Sequence, residues 1–565
     1  MPHLQQLLKQ QNIFHYAILL FFIAAILLLS LNGYFIISTN DDLALISLLR
    51  ENEAHTLILH YGTSWILGQL YQIFPTGQWY SITILALYLV LLISLFYTLK
   101  KYGILLFCAF SFFILYGLFA HSISFMTVAF VIAAILVLQD SYKTFIFYLS
   151  IAALLRADFI VVLSPFIAIG FFLFTIKLKK FNYLMLSIPL IIIATHLYLK
   201  QEPPYKEWYT YNKARATIQD LSCIQQDTTL TKKEQLSLFF WFDADPFLFS
   251  NQKVIEAACT RQIVYFNNLT NLTLDKIKSI FKNRDFKYYL FVNLFIIYLL
   301  FVKTHSKRNL ALNSLMFITI ILILINRDVP RVSAPLILGH TLILLFQLHF
   351  FKENHKQLPH NFNLTYYNCT AKTFCKNSVV SKWFFRTKSF LKTKSIELLH
   401  IIFILGIFLM LFKPLMILNI TKDSTLQRQK SLQNEIEILH ARFQGYKLKG
   451  VTFPGTLLQI TELNKGMLLH EDYLLDTKHN NIVLAGWLAR HPINLKKYDY
   501  AKLLKHESYF LIASPTSLGP EFVNRILELY DQAYCDNTCK HELMLVAQTP
   551  TFQLISLKKV ENTKK

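Results

Sequence analysis

Over most of the first 420 residues, apolar positions neither alternate nor recur every third or fourth residue; they run together. The runs are Phe14 to Ile37, Tyr80 to Leu99, Ile104 to Ala120, His121 to Leu138, Phe145 to Leu155, Phe159 to Ile176, Tyr183 to Leu199, Phe286 to Val302, Leu310 to Ile325, Ala334 to Phe351 and Ile396 to Ile420. A helix crossing a bilayer needs about 17 to 25 such residues, so the pattern predicts about eleven transmembrane helices. Phe145 to Leu155 is short by that measure and reads as tilted, interfacial or extended through Arg156. The first run is too long for a secretory h-region and no small-residue cleavage site closes it, so it reads as a retained helix with a cytoplasmic N-terminus.

After Ile420 the pattern changes. Leu432, Ile436, Leu439 and Phe443 predict a helix over Gln427 to Gln444, and Glu521 to Tyr534 predicts another. Short runs at Val451 to Phe453, Tyr509 to Ala513, Leu543 to Ala547 and Phe552 to Leu557 read as strands. The chain therefore divides into a membrane domain, 1–420, and a C-terminal α/β domain outside the cytoplasm, 421–565, long enough to fold alone.

Composition agrees: 54% of the 565 residues are hydrophobic, 16% are charged, and the mean hydropathy is +0.39. These values exclude a disordered chain, a collagen-like fibre and a water-soluble enzyme. The net charge of +22 needs a partner, and for a polytopic protein that is the anionic cytoplasmic leaflet. No nucleic-acid-binding motif competes for it.

If the helices alternate as above, Lys100 and Lys101, then Lys177, Lys179 and Lys180, then Lys303, Lys307 and Arg308, and the basic stretch 352–395 all fall on one side. By the positive-inside rule that side is the cytoplasm. The opposite side collects the loops 38–79, 200–287 and 326–333, the Arg156 neighbourhood and the tail. Cysteines fit this topology: Cys223 and Cys259 lie in the long outer loop and Cys535 and Cys539 in the tail, each a candidate disulfide outside the cytosol. Cys108 falls in a helix, and Cys369 and Cys375, in the basic cytoplasmic stretch, are expected as free thiols. Cys535 and Cys539 with only His541 nearby do not make a zinc site.

Candidate chemistry gathers in the first outer loop. Asn40, Asp41 and Asp42 follow the first helix, and an adjacent carboxylate pair at a membrane surface is either a solvated loop or a site. Asp42 also reads as an N-cap of the apolar helix Leu43 to Leu49. Glu51, Asn52, Glu53, His55, His60 and Tyr61 crowd the same loop, and Trp65 to Phe74 returns as an apolar helix suited to lie along the membrane.

This arrangement resembles the GT-C class of integral membrane glycosyltransferases, whose first outer loop carries the acidic catalytic residue. It is similar to bacterial members with an Asn-Asp-Asp motif, a later His, an apolar stretch ending in Leu-Tyr and a Trp-Tyr entering the second helix. Those features correspond here to Asn40-Asp41-Asp42, His55, Leu70-Tyr71 and Trp79-Tyr80, while His60 and Ser64 stand where Asn and Gly are expected. The resemblance extends to Tyr211-Asn212-x-x-Arg215 with Asp220, to Trp241 with Asp243 and Asp245, and to Asn326-Arg327-Asp328-Val329-Pro330-Arg331. In the tail it touches only Phe453-Pro454-Gly455 and Gly486-Trp487.

The resemblance implies an inverting transferase that moves a sugar from a polyprenyl-phosphate donor to a cell-envelope glycan or lipid acceptor, on the periplasmic face of a bacterial inner membrane. Such a reaction needs a carboxylate to take the acceptor proton and cations to hold the leaving phosphate. Asp41 or Asp42 is then the base, and Arg156, Arg327, Arg331 and Arg215 are the donor-phosphate candidates, because guanidinium binds phosphate bidentately. His55, His60, Asp243 and Asp245 are candidate acceptor or loop contacts. Each has a plainer account: Arg156 with Asp158 as a helix-end pair, Arg327 with Asp328 as a solvated turn, Arg331 as a snorkelling anchor, Asp243 and Asp245 as solvated acids, and His121, His196 and His340 as packed or interfacial histidines. The carboxylates offer hard oxygen ligands of the kind Mg or Mn takes, but no fixed spacing specifies a metal site. Competing functions are a flippase or transporter of lipid-linked sugars and an oligosaccharide polymerase or ligase. The sequons at Asn268 and Asn271 keep an endoplasmic reticulum location open.

Overall fold

Residues 123–137 form a helix in which every side chain is buried, because a sequence apolar on all faces has no face to offer water. It is the centre of a bundle in the computed structural model, which describes residues 2–32, 35, 41–119, 122–174, 183–221, 223–225, 227–239, 249–260, 263, 284–304, 306–326, 330–357 and 398–407. In the C-terminal part it describes 434, 450–452, 482–483, 490–497, 508–513, 528, 531, 539–548 and 552–561.

The helices in chain order are α1 (Pro2–Leu31), α2 (Asp41–Arg50), α3 (Tyr61–Ile73), α4 (Trp79–Leu99), α5 (Ile104–Phe119), α6 (Ile123–Val137), α7 (Tyr142–Phe174), α8 (Ser187–Leu199), α9 (Tyr205–Leu221), α10 (Lys232–Phe239), α11 (Asn251–Ala257), α12 (Arg284–Thr304), α13 (Lys307–Asn326) and α14 (Pro330–Gln357). A shorter apolar helix follows at Leu398–Ile407. Proline opens α1, α14 and the helix Pro492–Lys497, where its missing N–H costs nothing.

The protein is a helical membrane protein. Among the described residues, five helices are long and apolar enough to cross a membrane: Asn12–Leu31, Trp79–Leu99, Tyr142–Phe174, Lys307–Leu324 and Val332–Phe350. Five shorter apolar helices accompany them, at Ile104–Phe119, Ile123–Val137, Leu184–Leu199, Tyr289–Val302 and Leu398–Ile407. Val332–Phe350 is wholly buried whereas Asn12–Leu31 is only 22% buried, which separates a central helix from a peripheral one whose Leu20, Phe21 and Leu28 are left to lipid.

The chain divides into two compact units. The first comprises Met1–Asn32, Thr83–Ile191 and Thr273–Ile417 and holds most of the apolar helices. The second comprises Gly33–Ile82, Ile192–Leu272 and Leu418–Lys565, so the first loop, the long loop and the tail belong together rather than splitting at Ile420 alone.

Within the first unit, α7 is not one rod. Arg156 has φ −155° and ψ 80°, outside the helical region. Phe145 and Phe171 lie with ring centroids 6.1 Å apart, although 26 intervening steps of helix would separate them by about 39 Å. The chain therefore turns back at Arg156, and the two sequence runs flanking it are two antiparallel arms. Contacts from several neighbouring helices mark the opposite end. There Lys101 pairs with Asp140 at 2.7 Å, Tyr102 and Phe174 both meet Phe346, Arg308 donates to the Phe172 carbonyl, and Lys100 lies over Tyr16. The basic residues Lys100, Lys101 and Arg308 thus share one end of this unit, and Arg156 marks the other.

Buried amides join α12, α13 and α14. Asn313 and Gln347 exchange side-chain bonds of 2.9 and 3.0 Å, and Thr341 donates to Asn293 at 2.6 Å. With every side chain involved at or below 2% exposure, these bonds fix helix register where apolar packing alone is permissive.

In the second unit the long loop is itself folded. Trp208, Tyr211, Arg215 and Ile218 recur at helical spacing on α9, and a core of Tyr211, Ile218, Leu230, Leu238, Phe249 and Val254 joins α9, α10 and α11. Thr231 and Glu234 form a capping box, the Glu234 carboxylate accepting from the Thr231 N–H at 2.7 Å and the Thr231 hydroxyl accepting from the Glu234 N–H at 3.3 Å. Glu234 also pairs with Lys253 at 2.6 Å, and its carboxyl is held below the ordinary range as these bonds outweigh burial, the largest single influence. Cys223 and Cys259 are joined in a disulfide.

Among the described residues five strands fall between 450 and 561: β1 (Gly450–Thr452), β2 (Ile482–Val483), β3 (Ser508–Ala513), β4 (Cys539–Gln548) and β5 (Phe552–Glu561). They form one mixed sheet ordered β2-β1-β3-β5-β4. β1 is parallel to β2 and β3, and β5 is antiparallel to β3 and β4. β2 has no counterpart among the expected strands, since two residues carry no period. The expected helix at 427–444 lies outside the described residues apart from 434, and that at 521–534 apart from 528 and 531.

Candidate functional site

The first loop and α9 build a polar cluster in the second unit. α2 begins at Asp41, two residues earlier than an Asp42 cap requires, so Asp42 lies inside the helix. Its carboxylate is 1% exposed and accepts the Tyr80 hydroxyl at 2.5 Å. The Tyr80 N–H in turn donates to the Tyr71 hydroxyl at 3.0 Å. A bond between the start of α4 and the start of α2 thus replaces the expected cap. The side chain of Asp41 lies outside the description.

Asn52 ends the turn after α2 with φ 59°, a left-handed conformation that Asn tolerates. Gly68 of α3 packs directly against it. A Cβ there would stand 2.8 Å from Asn52 Oδ1, so the close approach of α3 to this turn requires glycine.

Beyond the turn, His55 is buried and stacked on Tyr205, ring centroids 3.6 Å apart and planes 12° from parallel. Its N–H donates to Glu53 Oε1 at 2.8 Å, and the Tyr205 hydroxyl donates to Glu53 Oε2 at 3.2 Å. Burial raises the Glu53 pKa against those bonds and lowers that of His55 against the attraction of Glu202, whose carboxylate stands 3.6 Å from His55 Nε2. Tyr209 donates to the Thr56 carbonyl at 2.6 Å, so α9 holds the loop at two places.

His60 is the N-cap of α3. Its Nδ1 accepts the Gly62 N–H at 3.0 Å, and Nε2 faces the Ile192 carbonyl at 3.1 Å. An N–H can only donate and a carbonyl can only accept, so the imidazole is the neutral tautomer protonated on Nε2. Burial lowers its pKa accordingly. The His196 ring lies 5.4 Å away.

Of the four arginines singled out from sequence, Arg156 belongs to the first unit, where it donates to Ser124 and lies over the Phe159 ring at 5.3 Å. Arg215 is on α9 in the second unit and 4% exposed. Arg327 lies outside the described residues, as do Asp243, Asp245 and Cys535. Arg331 is in the first turn of α14, its side chain outside the description; Cys539 opens β4. Asp42, His55, His60 and Arg215 are thus placed in one unit, while Asp220 sits on α9 with its side chain outside the description.

Sequence reasoning named Glu53 only as one acid in a crowded loop and Tyr80 only as part of the Trp79-Tyr80 pair, and it passed over Glu202, Tyr205 and His491, which act through contacts too distant in sequence to be read. Among the described residues no three His, Cys, Asp or Glu side chains converge as metal ligands, and the Asp42 carboxylate is committed to Tyr80. No family model, curated protein or solved structure matches the chain.

Proposed function

We propose that this protein is an inverting glycosyltransferase of the GT-C type in a bacterial inner membrane. It moves a sugar from a polyprenyl-phosphate donor to a cell-envelope glycan or lipid acceptor on the periplasmic face. The observation that carries this reading is the buried Asp42 carboxylate, held by Tyr80 in a helix that directly follows an apolar helix long enough to cross a membrane. Burying a carboxylate is costly, and a protein that does so beside a membrane-crossing helix has a use for the charge.

In the proposed reaction the acceptor oxygen attacks the anomeric carbon as the bond to the phosphate oxygen breaks. The acceptor proton passes to the carboxylate, Asp41 or Asp42, and the polyprenyl phosphate leaves with the electron pair. Arg156, Arg327, Arg331 and Arg215 are the guanidinium groups assigned to that phosphate. Five long and five short apolar helices, with α7 counted twice for its reversal, support eleven crossings. The end bearing Lys100, Lys101 and Arg308 is assigned to the cytoplasm by the positive-inside rule. The five-stranded sheet supports an α/β module, which this reading assigns to the periplasm.

The test is turnover of a labelled polyprenyl-phosphate-sugar panel by membranes carrying matched amounts of wild type, Asp41→Asn and Asp42→Asn. Transfer by the wild type, lost in one variant with donor binding intact, supports the reading and names the base. No turnover by any version, with lipid-linked sugar accumulating on the cytoplasmic leaflet when the protein is absent, replaces the enzyme with a flippase.

A further inference from the structure

We propose that His491 is a positioning residue for the first loop, holding the His55 backbone through Nε2 and making the Arg490–His491 segment a working part of the site. The link to catalysis rests on the glycosyltransferase reading; the tie between the two segments does not.

Three side chains within four residues each grip a different part of the second unit. Arg490, 2% exposed, lies over the Tyr211 ring at 4.2 Å and donates to Asn251 Oδ1 at 3.0 Å, engaging α9 and α11. Ile493 packs against the cluster of Leu48 and Trp208, as Leu57 also does. Between them His491 is fully buried, edge-on to Trp208 at 4.3 Å, with Nε2 3.0 Å from the His55 carbonyl.

The protonation of that imidazole follows from its partners. The Ile493 N–H, which can only donate, points at Nδ1 from 3.2 Å; the His55 carbonyl, which can only accept, faces Nε2. His491 therefore carries its hydrogen on Nε2 and donates it to His55. The same ring caps the helix Pro492–Lys497 on one side and clamps a loop 436 residues earlier on the other.

The clamp acts where orientation matters. His55 is held by its carbonyl through His491, by its N–H through Glu53 and by its ring on Tyr205. Release of the carbonyl frees one of three restraints on a ring that stands 3.6 Å from the Glu202 carboxylate. The expected result is a looser loop and weaker acceptor binding, with the chemical step less affected.

Two substitutions separate the two bonds of His491. His491→Asn keeps an acceptor for the Ile493 N–H but is too short to reach His55, whereas His491→Gln places an amide N–H near the position of Nε2. Hydrogen exchange across residues 53–60 of the full-length protein is compared with acceptor KM and kcat. Exchange and acceptor KM rise about tenfold in the Asn variant and return to within about twofold of wild type in the Gln variant. Equal protection in all three proteins overturns the proposal, as does equal loss in both variants or a wild-type acceptor KM in an active Asn variant whose loop is released. If exchange responds as expected and none of the three turns over donor, the tie stands and the glycosyltransferase reading falls. Should the Asn variant fail to accumulate, Asn251→Cys with Arg490→Cys tests the same docking at two side chains that meet at 3.0 Å: a short bifunctional thiol reagent joins them if the segment is seated, and failure to join overturns the proposal.

Discussion

The Tyr80 hydroxyl donates to Asp42 Oδ1 across 2.5 Å, while the Tyr80 N–H donates to the Tyr71 hydroxyl. One residue at the start of α4 therefore fixes both short helices of the first loop. Tyr80→Phe removes the donor from a buried carboxylate, a loss of roughly 1.5 to 3 kcal/mol. Asp42→Asn keeps an acceptor oxygen for Tyr80 and is expected to melt near the wild-type temperature. The pair is read by thermal unfolding beside sugar transfer: if Asp42 is the base, the Asn variant folds and is inactive, and the Phe variant is destabilised.

Acid is expected to destabilise the second unit through His60 and His491. Both rings spend Nδ1 on a backbone N–H, so protonating them breaks a bond and buries a charge. Burial lowers both pKa values, that of His491 from 6.5 to about 4. A histidine with a depressed folded pKa contributes its full stability above the unfolded value and loses it as pH falls from 6.5 toward the folded one. For His491 the loss reaches about 3 kcal/mol. Glu53, raised by burial from 4.5, works in the opposite sense, subtracting stability as pH rises from 4.5 through its folded pKa. Thermal unfolding between pH 4 and 8 measures the sum, and His491→Gln flattens the fall below 6.5.

Reduction of Cys223–Cys259 releases a loop with a sequence separation of 36. Loop-closure entropy assigns that release about 4 kcal/mol. Denaturant unfolding with and without reductant, repeated on Cys223→Ser, measures it. Loss is expected in the core of α9, α10 and α11, followed by Trp208 fluorescence.

Arg156→Lys keeps the charge but not the planar group that lies over Phe159 and bonds Ser124. Lysine does not reproduce that stacking or a bidentate grip on phosphate. If Arg156 serves the donor, Arg156→Lys raises donor KM about tenfold or more and Arg156→Ala more still, with acceptor KM unchanged. Equal effects on both substrates place Arg156 in the fold instead.

The apolar helices were legible because a run of that length has one physical outcome in lipid. The reversal at Arg156 was legible for a related reason: a charge between two apolar runs belongs at a boundary. Two local readings were less successful. Asp42 resembles a cap by its place before Leu43, yet its carboxylate goes to a tyrosine 38 residues away. The segment 200–287 was read as a loop although Trp208, Tyr211 and Ile218 already carried a helical period, because its low hydropathy hid a small core among longer apolar runs. The His60 bond to Ile192 and the His491 bond to His55 left no trace in the sequence, since each spans more than a hundred residues and uses a backbone carbonyl.

In the proposed topology the turn at Arg156 governs parity. A helical conformation there would make α7 a single 33-residue rod about 50 Å long, and the chain would cross the bilayer one time fewer before everything that follows. Cys223 and Cys259 would then share a compartment with Lys100 and Lys101, where thiols stay reduced. In that topology a single pair of backbone dihedral angles decides on which side of the membrane the later part of the protein meets its redox environment.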